Sequence, residues 1–249
     1  MTYKIGIAVT AYQEKEILEG QFYPKMKEMG ITGSEIVQFD GMIKDYFDPN
    51  PSPTSLSYDG SILLGKSFGA LVCKIPERLP FIRWLNWRLW TCGMLKFDAV
   101  IALDADEYLT GDWNKFKQVI EQTLDKQEGK PLLGLAKFID HNGTYPLFNR
   151  IHKVLVNPGK MIIKMAHYIY LNRDTGEKLQ KTGLEKFGGI FPYISINHND
   201  DLRPDWRERW HCKWQTLNHT REGLAIQKFR DRMKTAPEHK VYFENSIPY

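Results

Sequence analysis

Short apolar runs and amphipathic stretches alternate through the first half of the chain. Residues 4–10, Lys-Ile-Gly-Ile-Ala-Val-Thr, are almost continuously apolar, the pattern of a strand covered on both faces. Ile17, Leu18, Phe22, Met26 and Met29 recur at three- and four-residue spacing and predict a helix over 14–29. Pro24 falls inside it and marks a kink or a second start, and Gly30 suits a C-cap. Residues 35–39 read as a second strand closed by Asp40-Gly41. Residues 45–60 hold Pro49, Pro51 and Pro53 and predict a loop. Gly65 and Gly69 leave 61–72 undecided. A helix over 81–95 leads to a central strand at Val100–Leu103, and 111–126 is an amphipathic helix with Trp113, Phe116, Val119, Ile120 and Leu124 on one side.

Beyond residue 130 the pattern changes. Strands are predicted at 132–139, 150–156 and 160–171, with turns at 140–143, 157–159 and 174–176. A short strand at 195–197 ends at His198. Residues 206–229 read as a helix rich in charges and aromatics, and 241–243 as a last short extended segment. The fold class predicted is α/β, a Rossmann-like, mostly parallel central sheet flanked by helices, with a smaller mixed or antiparallel region after it. One domain over 1–249 accommodates this, with a change of role near residue 130.

Composition adds bounds. The net charge of +4, from 34 basic and 30 acidic residues, is too mild to argue for nucleic acid without a basic run or a known module. Cys73, Cys92 and Cys212 form no C-x-x-C pair, which argues against a disulfide framework or structural zinc. With no leader-like opening and no run of 18 apolar residues, the expectation is a cytoplasmic protein. The basic and aromatic segment around Trp206–Trp214, with Arg203, Arg207, Arg209 and Lys213, suits peripheral contact with a membrane face or a solvated helix.

The chemistry concentrates where the central strand ends, at Asp104-Ala-Asp106-Glu107. Three carboxylates in four residues repel one another unless water or a cation attends them. The carboxyl end of such a strand is also where open α/β sheets bind ligands. Asp104 and Asp106, at i and i+2, can converge on one Mg²⁺ or Mn²⁺, with phosphates completing its shell. His198 is a further candidate ligand or an ordinary loop histidine. Asp40 suits a base or ribose contact, or an Asx-turn with Gly41. Arg83 and Lys96 flank the helix before the acidic strand, as diphosphate clamps or solvated surface. No dinucleotide or P-loop glycine motif is present, nor H-E-x-x-H or G-x-S-x-G.

Taken in order, these segments resemble the family 2 glycosyltransferases of the GT-A fold. Thr10-Ala-Tyr12-Gln-Glu14 is similar to that family's first-strand motif, and Phe39-Asp40-Gly41 to the strand end that meets the nucleotide base. Phe81-Ile-Arg83-Trp-Leu-Asn86-Trp resembles the helix before the metal strand. Ile101-Ala-Leu-Asp104-Ala-Asp106-Glu107 is close to the L-D-A-D-E form of the D-x-D motif. The resemblance covers about residues 4–110. It implies transfer of a hexose-like sugar from a nucleoside-diphosphate donor to a glycan, lipid or protein hydroxyl, with inversion. Residues 1–130 would bind the donor through Thr10, Tyr12, Glu14, Asp40, Arg83, Lys96 and Asp104. Residues 131–249 would face the acceptor. Asp104, Asp106 and His198 would hold Mn²⁺ or Mg²⁺, and Asp140 would be the general base, although Asp140-His-Asn-Gly also suits an Asx-turn. Arg207-Glu-Arg209-Trp210 carries R-W without the glutamine of processive members.

Two other classes stay open. A nucleotidyltransferase or sugar-phosphate pyrophosphorylase also uses paired aspartates and a divalent ion, but Ala11-Tyr-Gln-Glu14 is an acidic, aromatic loop ill suited to a triphosphate. A non-catalytic module binding a membrane or nucleic acid would rest on the segment near Trp206.

Overall fold

The computed structural model describes residues 2–43, 52–75, 77–141, 150–165, 169–179 and 190–199. β1 (Ile5–Ala11) is buried along its whole length, as its apolar run requires. The helix predicted over 14–29 forms in three pieces: α1 (Lys15–Ile17), a π-helical turn (Leu18–Phe22) and α2 (Tyr23–Glu28). Pro24 follows on the π-helical turn, and the backbone stays right-handed helical through Phe22 and Tyr23, so it marks an irregularity within one continuous helix and not a fresh start. β2 (Ile36–Asp40) follows.

The undecided stretch after residue 60 resolves into α3 (Ser61–Phe68) and β3 (Leu71–Lys74). Its two glycines have different reasons. Gly69 ends α3 in the left-handed region, at φ 88°. At Gly65 a Cβ would collide with the Gln38 side chain, so the residue marks a close approach of helix to sheet. α4 (Phe81–Met94) and β4 (Ala99–Asp104) match the pattern. After β5 (Glu107–Gly111) comes α5 (Trp113–Gln127), capped by Asp112, whose side chain accepts from the Lys115 amide. α5 buries Trp113, Phe116, Ile120 and Leu124, each contributing roughly 1.5–3 kcal/mol of apolar burial. The second half supplies β6 (Leu132–Asp140), β7 (Arg150–Val156), β8 (Met161–Met165), β9 (Ile169–Asn172) and β10 (Ile190–His198).

Among the described residues eight strands make one sheet in the order β3-β2-β1-β4-β7-β6-β10-β5. Pairings from β3 to β4 are parallel, as is β6 with β10. β7 runs antiparallel to both its neighbours, and β5 antiparallel to β10. The expected mixed region is thus a continuation of the central sheet. Among the described strands only β8 and β9 stand apart, as a two-stranded antiparallel pair in place of the single strand predicted over 160–171. β5 was not anticipated, and β10 extends well beyond 195–197. No helix among the described residues is long and apolar enough to cross a membrane. The segments 206–229 and 241–243, with Arg203, Arg207, Arg209 and Lys213, lie outside the described residues.

Candidate active site

The order β3-β2-β1-β4 places the switch of winding direction between β1 and β4, the position where open α/β sheets bind ligands beyond their carboxyl ends. The register pairs Thr10 with Asp104 there, and Ala11 with Asp40 one strand further out. Three residues expected from the sequence therefore sit side by side.

The exit from β1 is held from within. Glu14 Oε2 accepts from the Tyr12 amide, and both side chains are buried. The Tyr12 hydroxyl accepts from the Ser52 amide at 3.2 Å. Gln13, at φ 55°, receives the amides of Tyr58 and Asp59 on its side-chain oxygen and donates its own amide to Ser57 Oγ. These contacts bind the 52–60 loop to the end of β1. The loop in turn supplies the Ser57 amide, which donates to Asp40 Oδ1 at 2.9 Å. Asp40 Oδ2 is buried with no hydrogen-bond partner among the described residues. Burial pushes the Asp40 carboxyl up to about 6, with the Ser57 hydrogen bonds opposing it.

At the acidic turn the carboxylates separate into two groups. Lys153, projecting from β7, sets its ammonium 3.0 Å from Asp104 Oδ2 and 2.5 Å from Glu107 Oε2. That Glu107 oxygen also accepts from the Asp104 amide at 2.9 Å. Burial pulls the Lys153 pKa down, but the charges of Asp104 and Glu107 outweigh it and leave it raised, so the side chain remains an ammonium. Burial, with the nearby Asp104 charge, leaves the Glu107 carboxyl raised above its ordinary value although Lys153 and the Asp104 amide oppose it.

Asp106 belongs to the second group. Its Oδ2 lies 3.2 Å from His198 Nε2, and His198 Nδ1 lies 3.0 Å from Asp140 Oδ1. All three side chains are at most 5% exposed. Gln21, in the π-helical turn, donates to the carbonyls of Asp106 at 3.3 Å and Asn199 at 3.2 Å, and the Asn199 amide donates to the same Asp106 carbonyl. One side chain thereby spans the two chain segments that carry Asp106 and His198.

No ready-made group of three or more His, Cys, Asp or Glu ligands for a metal exists among the described residues. The Asp106–His198 pair nevertheless fits a hard divalent ion. A 3.2 Å separation matches two adjacent ligands with bonds of roughly 2.1–2.2 Å. His198 presents Nδ1 to Asp140 and Nε2 to Asp106, and a carboxylate on the ring nitrogen away from the ion is the outer-shell arrangement of metal-binding histidines.

Arg88 was not anticipated. It lies seven residues before Leu95 on a helix where the sequence drew attention to Arg83, and its side chain is buried. Nη1 donates to the Thr10 hydroxyl at 2.8 Å, Nε has no partner, and no carboxylate pairs with the guanidinium among the described residues. A buried cation without an acid is a demand for an anion. By contrast, Arg83 is exposed in the first turn of α4, and Lys96 is exposed in the turn entering β4, at the far end of that strand from Asp104. Asn86 faces another way, exchanging two hydrogen bonds with the Ile163 backbone and so fastening α4 to β8.

No family model and no curated protein matches the sequence. Among solved structures, S. aureus TarS 1-349 in complex with UDP-GlcNAc is 10% identical with a TM-score of 0.44, over 93% of this chain and 73% of that one. Glucosyl-3-phosphoglycerate synthase from Mycobacterium tuberculosis is 19% identical with a TM-score of 0.34, over 57% and 45%. A cytidylyltransferase from Leptospira borgpetersenii is 13% identical with a TM-score of 0.37, over 62% and 60%. The chain spans 43% of a longer TarS structure. At such scores the functional reading rests on the site's own residues.

Proposed function

We propose that the protein is a glycosyltransferase that moves a sugar from a nucleoside-diphosphate donor to an acceptor hydroxyl, with residues 1–130 serving the donor and 131–249 the acceptor. The observation that carries this reading is the convergence, at the carboxyl ends of β1 and β4, of a carboxylate set with the unpaired buried guanidinium of Arg88. Such a site suits a ligand that is anionic and also needs a cation. Asp40 Oδ2, a buried acceptor without a partner among the described residues, suits an N–H of the nucleotide base. Asp104, whose side chain is 44% exposed, reaches the donor. Tyr12 and Glu14 shape the loop that borders it. Arg88 takes the diphosphate's charge, and Thr10 holds Arg88 in place.

Asp106 and His198 would hold Mn²⁺ or Mg²⁺, the role a D-x-D motif implies. A divalent ion supplies Lewis-acid neutralisation of charge on a departing diphosphate. Asp140 is assigned the proton of the attacking hydroxyl, and its contact with His198 gives it the second task of orienting the ring. Attack opposite the leaving group inverts the anomeric centre.

Titration of the full chain with UDP- and GDP-sugars, with and without Mn²⁺, tests the reading. Metal-dependent binding of at least one donor is expected, and Asp106→Asn should abolish it. Glycoside formation with nucleoside diphosphate release is the expected turnover. Release of pyrophosphate from a nucleoside triphosphate and a sugar phosphate would instead establish a nucleotidyltransferase.

A further inference from the structure

Lys153 is a lysine whose charge is used inside the site rather than at a surface. Among the described residues four acidic side chains gather here, Asp104, Asp106, Glu107 and Asp140, and the Lys153 ammonium contacts two of them. The ammonium does not sit midway among them. It contacts Asp104 and Glu107, while Asp106 and Asp140 both face His198. Lys153 and Glu107 are 10% and 5% exposed, so their attraction is weakly screened and their geometry is fixed. The Asp104 amide closes the arrangement onto Glu107 Oε2, which ties the backbone of the acidic turn to the same ion pair.

We propose that the Lys153 ammonium is a resident cation of this site: it holds Asp104 and Glu107 itself and confines an exchangeable divalent ion to the side of Asp106 and His198. The inference rests on the glycosyltransferase reading only for the purpose of the ion. The charge division stands on the geometry alone. Three consequences follow from it. Removing the Asp104 charge leaves ion affinity nearly untouched, because that carboxylate already has its cation. Removing either Asp106 or His198 takes away a ligand. Removing Lys153 releases Asp104 and deepens the negative potential, so ion affinity rises and Asp104 becomes a ligand.

The probe is Mn²⁺ alone, titrated into the full chain at about pH 7.5, above the ordinary histidine range, and followed by calorimetry or by the electron-spin signal of free ion. Asp104→Asn should change the dissociation constant by no more than about threefold, whereas Asp106→Asn and His198→Ala should each raise it at least about tenfold. Lys153→Met should tighten binding about tenfold, and Asp104→Asn added to Lys153→Met should reverse that gain. Lys153→Arg, which keeps the charge, should stay near wild type. Should Lys153→Met fail to fold, the comparison of Asp104→Asn with Asp106→Asn in the wild-type background decides alone. An Asp104→Asn loss equal to that of Asp106→Asn overturns the proposal, as does a wild-type chain that binds no Mn²⁺. Mn²⁺ binding with this pattern but no affinity for any sugar nucleotide would uphold the resident cation and end the transferase reading.

Discussion

Arg88 Nη1 donates to the Thr10 hydroxyl at 2.8 Å across 78 residues of chain, fastening a helix side chain to the strand end beside Asp104. The guanidinium contributes little to the fold, since it is buried without an acid among the described residues and one of its donors is unsatisfied. Arg88→Met should therefore leave the unfolding free energy unchanged or raise it by about 1 kcal/mol. The same substitution should weaken nucleoside diphosphate binding by roughly 2 kcal/mol or more, since it removes a charge-assisted contact. Urea melts and nucleotide titrations on one preparation would check both. Joint loss of stability and binding would mark Arg88 as a structural residue.

The raised pKa of Asp40 gives stability a defined pH dependence. The folded value of about 6 lies above the ordinary value of 3.8, so the native state holds this proton more tightly than the unfolded chain. Its contribution is complete at pH below about 4 and is lost as pH rises through about 6, roughly 3 kcal/mol in all. Asp40→Asn has no such proton. The wild-type minus Asp40→Asn stability difference should fall between about pH 4 and pH 7, and chemical denaturation across that range would measure it. A flat difference would mean that Asp40 is ionised throughout.

Gln21 carries two carbonyls on one amide nitrogen. Gln21→Glu presents only acceptors to those carbonyls when ionised and should destabilise the protein by about 1–3 kcal/mol more than Gln21→Met. Both variants should raise the KM for the donor, because the segments bearing Asp106 and His198 lose their shared tie. Thermal melts with steady-state kinetics would test this, and an unaltered KM would limit Gln21 to stability.

Asp140 separates two tasks through two substitutions. Asp140→Asn keeps an oxygen for His198 Nδ1–H, so nucleotide and Mn²⁺ affinity should hold while kcat falls about 10²–10⁴-fold. Asp140→Ala also frees the ring and should weaken Mn²⁺ binding about 10–100-fold. An unchanged kcat in Asp140→Asn would leave the residue only its orienting task.

Much of the sheet end formed by β1, β2 and β4 was legible in the sequence because it lies on uninterrupted apolar strands. The end of each such strand is visible, so Thr10, Asp40 and Asp104 fall at one edge of the sheet from the apolar pattern alone. Glu107–Gly111 was missed because an acid opens it and a glycine closes it, and its pairing depends on β10, some 80 residues later. The buried ion pairs of Lys153 went unread for a related reason. In Arg-Ile-His-Lys-Val-Leu-Val a lysine reads as an outward position on a half-exposed strand, yet β7 is enclosed between β4 and β6. A charged residue in the middle of an interior strand was the available sign. Arg88 was overshadowed by Arg83, which shares its helix but emerges on the solvent side, and apolar periodicity alone does not rank two arginines on one helix.

β5 has consequences for how the molecule is made. It follows the acidic turn immediately, yet it joins the sheet only through β10, with Glu107 opposite His198 in the register. As the polypeptide leaves the ribosome, β1 to β4 can pair soon after synthesis, since their partners are close in sequence or already present. β5 then waits, as an unpaired strand, until residues 190–198 emerge and insert between it and β6. Such a distant closure makes folding slow and exposes an edge during translation. A nascent chain stalled before residue 190 would hold the acidic turn without its histidine and β5 without a neighbour, a species prone to capture by chaperones or by other chains.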